Sequence, residues 1–179
     1  MRKGFTLIEM MIVVAIIAII AAIAIPSLLA ARRSSLETNA VGSMRAYAEA
    51  QSIFKRNDWV GSGTVGVLEY ATPFSLLFTQ TDGTGANIAL IDSAFAGATA
   101  AATPKHGYWF ADCATIGGAA INWADDFAMS STPSTYGRSG YRSFLVATNG
   151  TTFGRDLTMS QQTADYPVDP TVSGWLIAE

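Results

Sequence analysis

Hydrophobic residues are concentrated at one end of the chain. From Met10 to Ile25 the sequence reads MMIVVAIIAIIAAIAI, sixteen residues without a polar side chain. Extending back to Phe5 adds only Thr6 and Glu9 as interruptions, and the resulting twenty-one residues match the length of a helix that spans a bilayer core. Beyond Pro26 the pattern becomes periodic. Leu29, Leu36, Ala40, Met44, Tyr47, Gln51 and Phe54 recur at spacings near three and four, while Arg32, Arg33, Glu37, Arg45, Glu49 and Arg56 fall elsewhere. That is one face of an amphipathic helix. From Ser27 to Asn57 there is no proline and one glycine, Gly42, so both segments are expected to form a single rod of about fifty residues, roughly 75–80 Å long. The apolar stripe needs cover from the rest of the chain. Tyr47, Phe54 and Trp59 lie along it and are expected to pack there.

After Asn57-Asp58 the composition changes to glycine, serine and threonine, with loops marked by Gly61-Ser62-Gly63 and Gly66. Pro73–Leu77 and Ile88–Phe95 read as short helical or irregular segments. Strands are expected at Gly107–Cys113, Ala119–Trp123, Phe127–Ser130 and Tyr141–Thr148. Asn149-Gly150 is a two-residue hairpin signal leading into Thr152-Phe153, and Val172–Ile177 is a candidate closing strand. Ala96–Thr103 is an alanine-rich loop, and no internal repeat is evident. The expected class is α+β, with a small antiparallel sheet laid on the stripe of a long helix.

Composition and charge sharpen this picture. Half of the 179 residues are hydrophobic and only 14% are charged, against about a quarter in ordinary soluble domains. An ordinary cytosolic enzyme is excluded. Residues 1–60 carry a net charge of +3 and residues 61–179 a net of −6. A basic stem with an acidic head is the reverse of a nucleic-acid-binding domain, so no nucleic acid is expected as a partner. The single cysteine, Cys113, cannot form an intrachain disulfide and is expected to be a small buried hydrophobe.

Enzymatic signatures are missing. His106 is the only histidine and reads as a surface loop residue. Gly137-Arg138-Ser139-Gly140-Tyr141 departs from a nucleophile elbow at its last position. There is no phosphate loop, dinucleotide fingerprint or histidine-carboxylate cluster, so no catalytic residue, cofactor or metal is expected. Asn149-Gly150-Thr151 matches a glycosylation sequon, but the turn already accounts for those residues.

Two generic readings compete for the first thirty residues. A secretory signal would begin with basic residues, as Arg2-Lys3 does, and an Ala-x-Ala site occurs at Ala22-Ile23-Ala24. The apolar run is too long for that, and the following sequence stays helical. A transmembrane anchor fits, and the positive-inside rule places Arg2 and Lys3 in the cytoplasm. Neither reading explains Glu9, because a charge at mid-membrane costs about 2.5–3.5 kcal/mol on insertion scales.

Gly4-Phe5-Thr6-Leu7-Ile8-Glu9, behind a short basic leader and ahead of an apolar helix, resembles the class III signal of type IV pilins and type II secretion pseudopilins. The resemblance covers about residues 2–60 and implies the type IV pilin fold. It implies cleavage between Gly4 and Phe5, N-methylation of Phe5, and pairing of Glu9 with the Phe5 amine of a neighbouring subunit. Pro26 falls where the family's helix loosens on packing into a filament. The implied organisation is a leader at 1–4, a membrane and filament-core helix at 5–28, its amphipathic continuation at 29–57 and a β-rich head at 58–179.

The implied partners are further copies of the chain, membrane lipid, a prepilin peptidase and methyltransferase, an inner-membrane platform protein and an assembly ATPase. The implied location is first the inner membrane, then a cell-surface filament. A type II secretion pseudopilin and a single-span anchored binding module are the alternatives. Weaker fragments, Gly107-Tyr108-Trp109-Phe110 and Arg142-Ser143-Phe144 before Asn149-Gly150, resemble head strands of a pilin subgroup. Many pilins close their C-terminal loop with a disulfide, which Cys113 cannot make, and pseudopilins often use calcium there. Asp125, Asp126, Asp156, Asp165 and Asp169 form no compact calcium-loop motif and are expected to be solvated loop acids.

Overall fold

A single helix, α1, runs from Leu7 to Arg56 without interruption. In the computed structural model, residues 4–59, 68–82, 84–160 and 162–178 are described. The basic leader residues Arg2 and Lys3, and the expected loop at Gly61-Ser62-Gly63 and Gly66, lie outside them. The helix continues through Pro26, although proline cannot donate to the carbonyl of Ala22, four residues earlier. Ser27 Oγ donates to the Ala24 carbonyl at 2.9 Å. Asn57 ends the helix, its N–H donating back to Ile53 and Phe54.

The stripe is buried from Ala40 to Phe54, with Met44, Tyr47, Gln51 and Phe54 fully enclosed. Two corrections apply to it. Leu29 is 47% exposed, because the head covers the helix only from about residue 33 onward. Glu37, expected on the polar side, is buried by an ion pair with Arg142. Gly42 points into open space. Glycine inside a helix costs about 0.5–1 kcal/mol relative to alanine. Gly42→Ala is therefore expected to raise the midpoint of thermal unfolding of the detergent-solubilised chain by a few degrees.

Short helices α2 (Leu76–Thr79) and α3 (Ser93–Ala96) follow, shorter than the expected segments around them. The main sheet contains β1 (Tyr108–Asp112), β4 (Ala128–Pro133), β5 (Arg142–Ala147), β6 (Thr152–Asp156) and β8 (Leu176–Ile177), in that antiparallel order. The second sheet joins β2 (Thr115–Ile116) to β3 (Ala119–Ala120) and, in parallel, to β7 (Asp165–Tyr166). The expected strands at Ala119–Trp123 and Val172–Ile177 shrink to two residues each. Phe127–Ser130 shifts to β4, which extends to Pro133. Neither β2 nor β7 was legible, since two-residue strands show no alternation.

The β5–β6 turn also differs from expectation. Gly150 alone takes a left-handed φ of 72°, and its N–H donates to the Ala147 carbonyl at 2.8 Å. This is a longer hairpin loop, with glycine at the bulge position after the turn.

Both faces of the main sheet are covered. Phe144 and Val146 face the helix-side core, whereas Leu145 and Ala147 join Cys113, Ala128, Phe153, Tyr166 and Trp175 behind the sheet. The Cys113 thiol is pushed up to about 12 by burial, which leaves it protonated and unreactive.

Two polar latches bind the helix to the head. The fully buried Gln51 amide donates to Tyr47 Oη at 2.9 Å and to the Ala71 carbonyl at 2.8 Å, and accepts from the Ala71 N–H at 2.7 Å. Asp112 accepts from the Phe74 N–H at 2.8 Å and from Tyr47 Oη at 3.3 Å. Loss of water pushes the Asp112 carboxyl up from 3.8 to about 6, against the partial relief given by the Phe74 and Tyr47 donors. A carboxyl raised on folding stabilises the fold fully below pH 3.8, and that contribution is lost as pH rises through 6. A shift of this size corresponds to about 3 kcal/mol. Asp112→Asn keeps an acceptor for Phe74 and removes the charge. It is expected to stabilise the chain at pH 7.5, with the difference from wild type vanishing below pH 4 in paired thermal melts.

Candidate assembly site

The helix opens with a reciprocal cap. Thr6 is the N-cap residue, and its Oγ accepts from the Glu9 N–H at 3.3 Å. Glu9 Oε2 in turn accepts from the Thr6 N–H at 2.8 Å and from the Thr6 hydroxyl at 2.6 Å. The arrangement satisfies helix-terminal donors and sets a negative charge at the positive end of the helix dipole. Oε1 carries no hydrogen bond among the described residues. One oxygen of Glu9 is thus held by its own chain and the other faces outward.

With Gly4 attached, the nitrogen of Phe5 is a peptide N–H and not an amine. Among the described residues no cation pairs with Glu9, and the cap holds it instead. Thr6 contributes more than an interruption of the apolar run. Its role was readable from the Thr-x-x-Glu spacing, which is the capping-box signature.

Above this cap the helix is bare. Sixteen large apolar side chains from Phe5 to Leu29 are each at least 47% exposed. Leaving that many in water costs on the order of tens of kcal/mol, at about 1.5–3 kcal/mol per side chain. Such a helix needs lipid or other helices around it. Pro26 lies within this bare stretch, near its outer end.

The head ties itself to the stem just beyond. Glu37 Oε2 accepts from Arg142 Nε at 2.8 Å, and Oε1 accepts from the Tyr141 and Arg142 N–H groups at 2.9 and 3.4 Å. Tyr108 Oη donates to the Arg142 carbonyl at 2.8 Å. Arg33 donates to Tyr141 Oη at 2.6 Å. Sequence spacing gave no hint of the Glu37 contact, because its partners lie more than a hundred residues away.

The loop acids have local work. Asp165 accepts from Thr115 Oγ at 2.5 Å and from the Gly118 N–H at 2.9 Å, and Asp169 accepts from the Thr171 hydroxyl at 2.6 Å. These donors hold both carboxyls below the usual range. Asp156 accepts from Tyr136 Oη, Asp126 from Thr148 Oγ and Asp125 from Asn122. Tyr47 and Phe54 are fully enclosed, Tyr47 lying edge-on to Phe127 and Phe54 to Trp59.

Residues 1–25 match the family described as "Prokaryotic N-terminal methylation motif". Residues 26–169 match the one described as "Protein of unknown function (DUF2950)". A Thermus thermophilus protein, "Type IV wide pilus major component PilA4", is 47% identical over 53 residues, which are 30% of this chain and 40% of that protein. The Myxococcus xanthus "Type IV major pilin protein PilA" is 47% identical over 58 residues, 32% of this chain and 26% of that protein. The matches therefore span less than half the length of either relative. No solved structure matches the chain significantly.

Proposed function

Because this chain belongs to the family described as "Protein of unknown function (DUF2950)" and carries the N-terminal segment of a type IV pilin, we propose that it is the structural subunit of a helical surface filament. The observation that carries the reading is the bare helix from Phe5 to Leu29 with its single carboxylate at the start. In the membrane, lipid covers that surface. In a filament, the same surface of neighbouring copies covers it, and head-to-tail contacts that do not close produce an open helix.

On this reading a prepilin peptidase cuts between Gly4 and Phe5 and the new terminus is methylated. The cut frees the Phe5 amine, which meets the outward Oε1 of a neighbour's Glu9. The attraction is strong in low dielectric, where either charge alone is costly. Pro26 supplies a place where the helix can loosen, since one backbone hydrogen bond is already missing there. Extraction from the membrane requires an assembly ATPase and a platform protein. Both curated relatives are major pilins by name, which favours a filament subunit over a secretion pseudopilin.

Mass spectrometry of the N-terminus tests the reading. A mature chain beginning with N-methyl-Phe5, recovered in sheared surface filaments, is the expected result. An intact leader on the membrane-bound chain, with no filaments, would overturn it in favour of an anchored binding module.

A further inference from the structure

At the lower end of the head, a cleft of about 330 Å³ opens between the stem and the 134–139 loop. Its walls carry Arg32, Arg138 and His106, together with Ser134, Thr135 and Ser139. Among the described residues no carboxylate lines it. Neither arginine makes an ion pair among the described residues. The nearest stem acid, Glu37, is already committed to Arg142 and the backbone beside it.

The fold presents these groups deliberately. His106 and Gly107 are the central residues of a tight turn, with φ of 50° and 78°. Lys105 and Tyr108 close the turn through two hydrogen bonds of 2.8 and 3.0 Å. Histidine is one of the few side chains enriched at a left-handed φ, and glycine takes it freely, so both residues suit this turn. The turn rests on Ser139, whose Cβ is 3.0 Å from where a Cβ on Gly107 would lie. Ser134 Oγ and Ser139 Oγ are 3.0 Å apart. That pair has two hydroxyl protons and uses one between its oxygens, which leaves one to donate to a ligand. Two guanidinium groups, an imidazole and a free hydroxyl proton form a donor set suited to a tetrahedral oxyanion.

The position of the cleft narrows the source. Leu29 is the last large exposed apolar residue of the helix. Arg32 follows three residues later, about 4.5 Å along the axis. Helical side chains tilt toward the N-terminus, here toward the membrane. Tyr136 and Tyr141 lie edge to face at 5.3 Å, and the Arg33 guanidinium sits 5.1 Å over the Tyr141 ring. Tyrosine and arginine side by side at the end of an apolar span mark the headgroup level.

We propose that this cleft binds a phosphate-bearing anion, and that an anionic lipid headgroup at the outer membrane surface delivers it. The lipid source rests on the anchored-subunit reading above; the anion chemistry does not.

The full chain in dodecyl maltoside micelles, which contain no phosphate, tests both parts. His106 is the only histidine, so its ring NMR signals report on the cleft without ambiguity. Short-chain phosphatidylglycerol is expected to move them saturably, at lower concentration than inorganic phosphate. Sodium chloride at matched ionic strength is expected to give no saturable shift. Arg32→Gln with Arg138→Gln is expected to weaken lipid binding by about tenfold or more, with the thermal midpoint unchanged because both side chains are exposed and unpaired.

Changes no different from those in chloride would overturn the site. Saturation by inorganic phosphate at equal or lower concentration than lipid would overturn the lipid source. Undiminished lipid binding by the double variant would overturn the assignment of these residues. The N-terminal mass of the same sample reports processing separately, so a processed chain with an unresponsive His106 loses this site alone.

Discussion

Cells whose only copy of this protein carries Glu9→Val are expected to make no surface filaments, while membrane insertion and leader cleavage proceed. Valine removes the one charge from the span, so insertion becomes easier. The cost appears on assembly, when the freed amine of Phe5 enters a helix bundle with no carboxylate to meet it. Glu9 also caps its own helix through Thr6, and two further variants separate the roles. Glu9→Gln retains a side chain that can accept from the Thr6 N–H, since glutamine serves at this position of a capping box. It lacks the charge and is expected to fail as valine does. Thr6→Val keeps the charge and loses the reciprocal hydroxyl contact, and is expected to leave filaments intact. Immunoblots of sheared and membrane fractions would measure all three. Normal filament yield from Glu9→Gln would sink the charge-pairing account and leave capping as the function of Glu9.

The second large effect is expected at Gly140, where alanine should destabilise the chain by about 3 kcal/mol or more. A Cβ there would lie 2.0 Å from Tyr108 Oη, 2.9 Å from its Cζ and 3.1 Å from Glu37 Cγ. Tyr108 is fully buried and hydrogen-bonded to the Arg142 carbonyl, so its ring has no direction in which to retreat. Relief requires the 140–142 backbone to lift away from the stem, which strips Glu37 of its donors. Overpacking costs about 1–3 kcal/mol, and an unpaired buried polar group adds about as much again. At about 2–4 °C per kcal/mol for a chain of this size, the thermal midpoint should fall by roughly 6–12 °C. Gly42→Ala supplies the contrast, since the same substitution there meets open space. A Gly140→Ala melt within a degree or two of wild type would show that the clasp between head and stem is dispensable.

The two glycines also show how far sequence reasoning reaches. Gly140 attracted notice only as part of a failed nucleophile motif. Its φ lies outside the left-handed region, so no turn preference demands it. It is required because Tyr108, on β1, passes over it. Glu37 is similar: by periodicity it belongs to the polar face, and only Arg142, 105 positions away, turns it inward. Leu29 shows the opposite error, an apolar residue in register with the stripe but below the edge of the head. Thr6 is different again. Its partner is three residues away, and the capping signature was available.

Sequence alone determined the parts governed by local spacing. An unbroken apolar run and a three-to-four period need no partner to be recognised, so the fifty-residue helix, its bare half and its striped half were legible, as was the motif around Gly4, Phe5 and Glu9. Hairpin strands of five or six residues were visible with shifted ends. Tertiary structure decided the rest: the two-residue strands of the second sheet, the cover on the back of the main sheet, the clasp at Glu37 and the cleft that gathers Arg32, His106 and Arg138. Those features depend on which distant segments meet, and contacts at long separation leave no periodic trace in the chain that makes them.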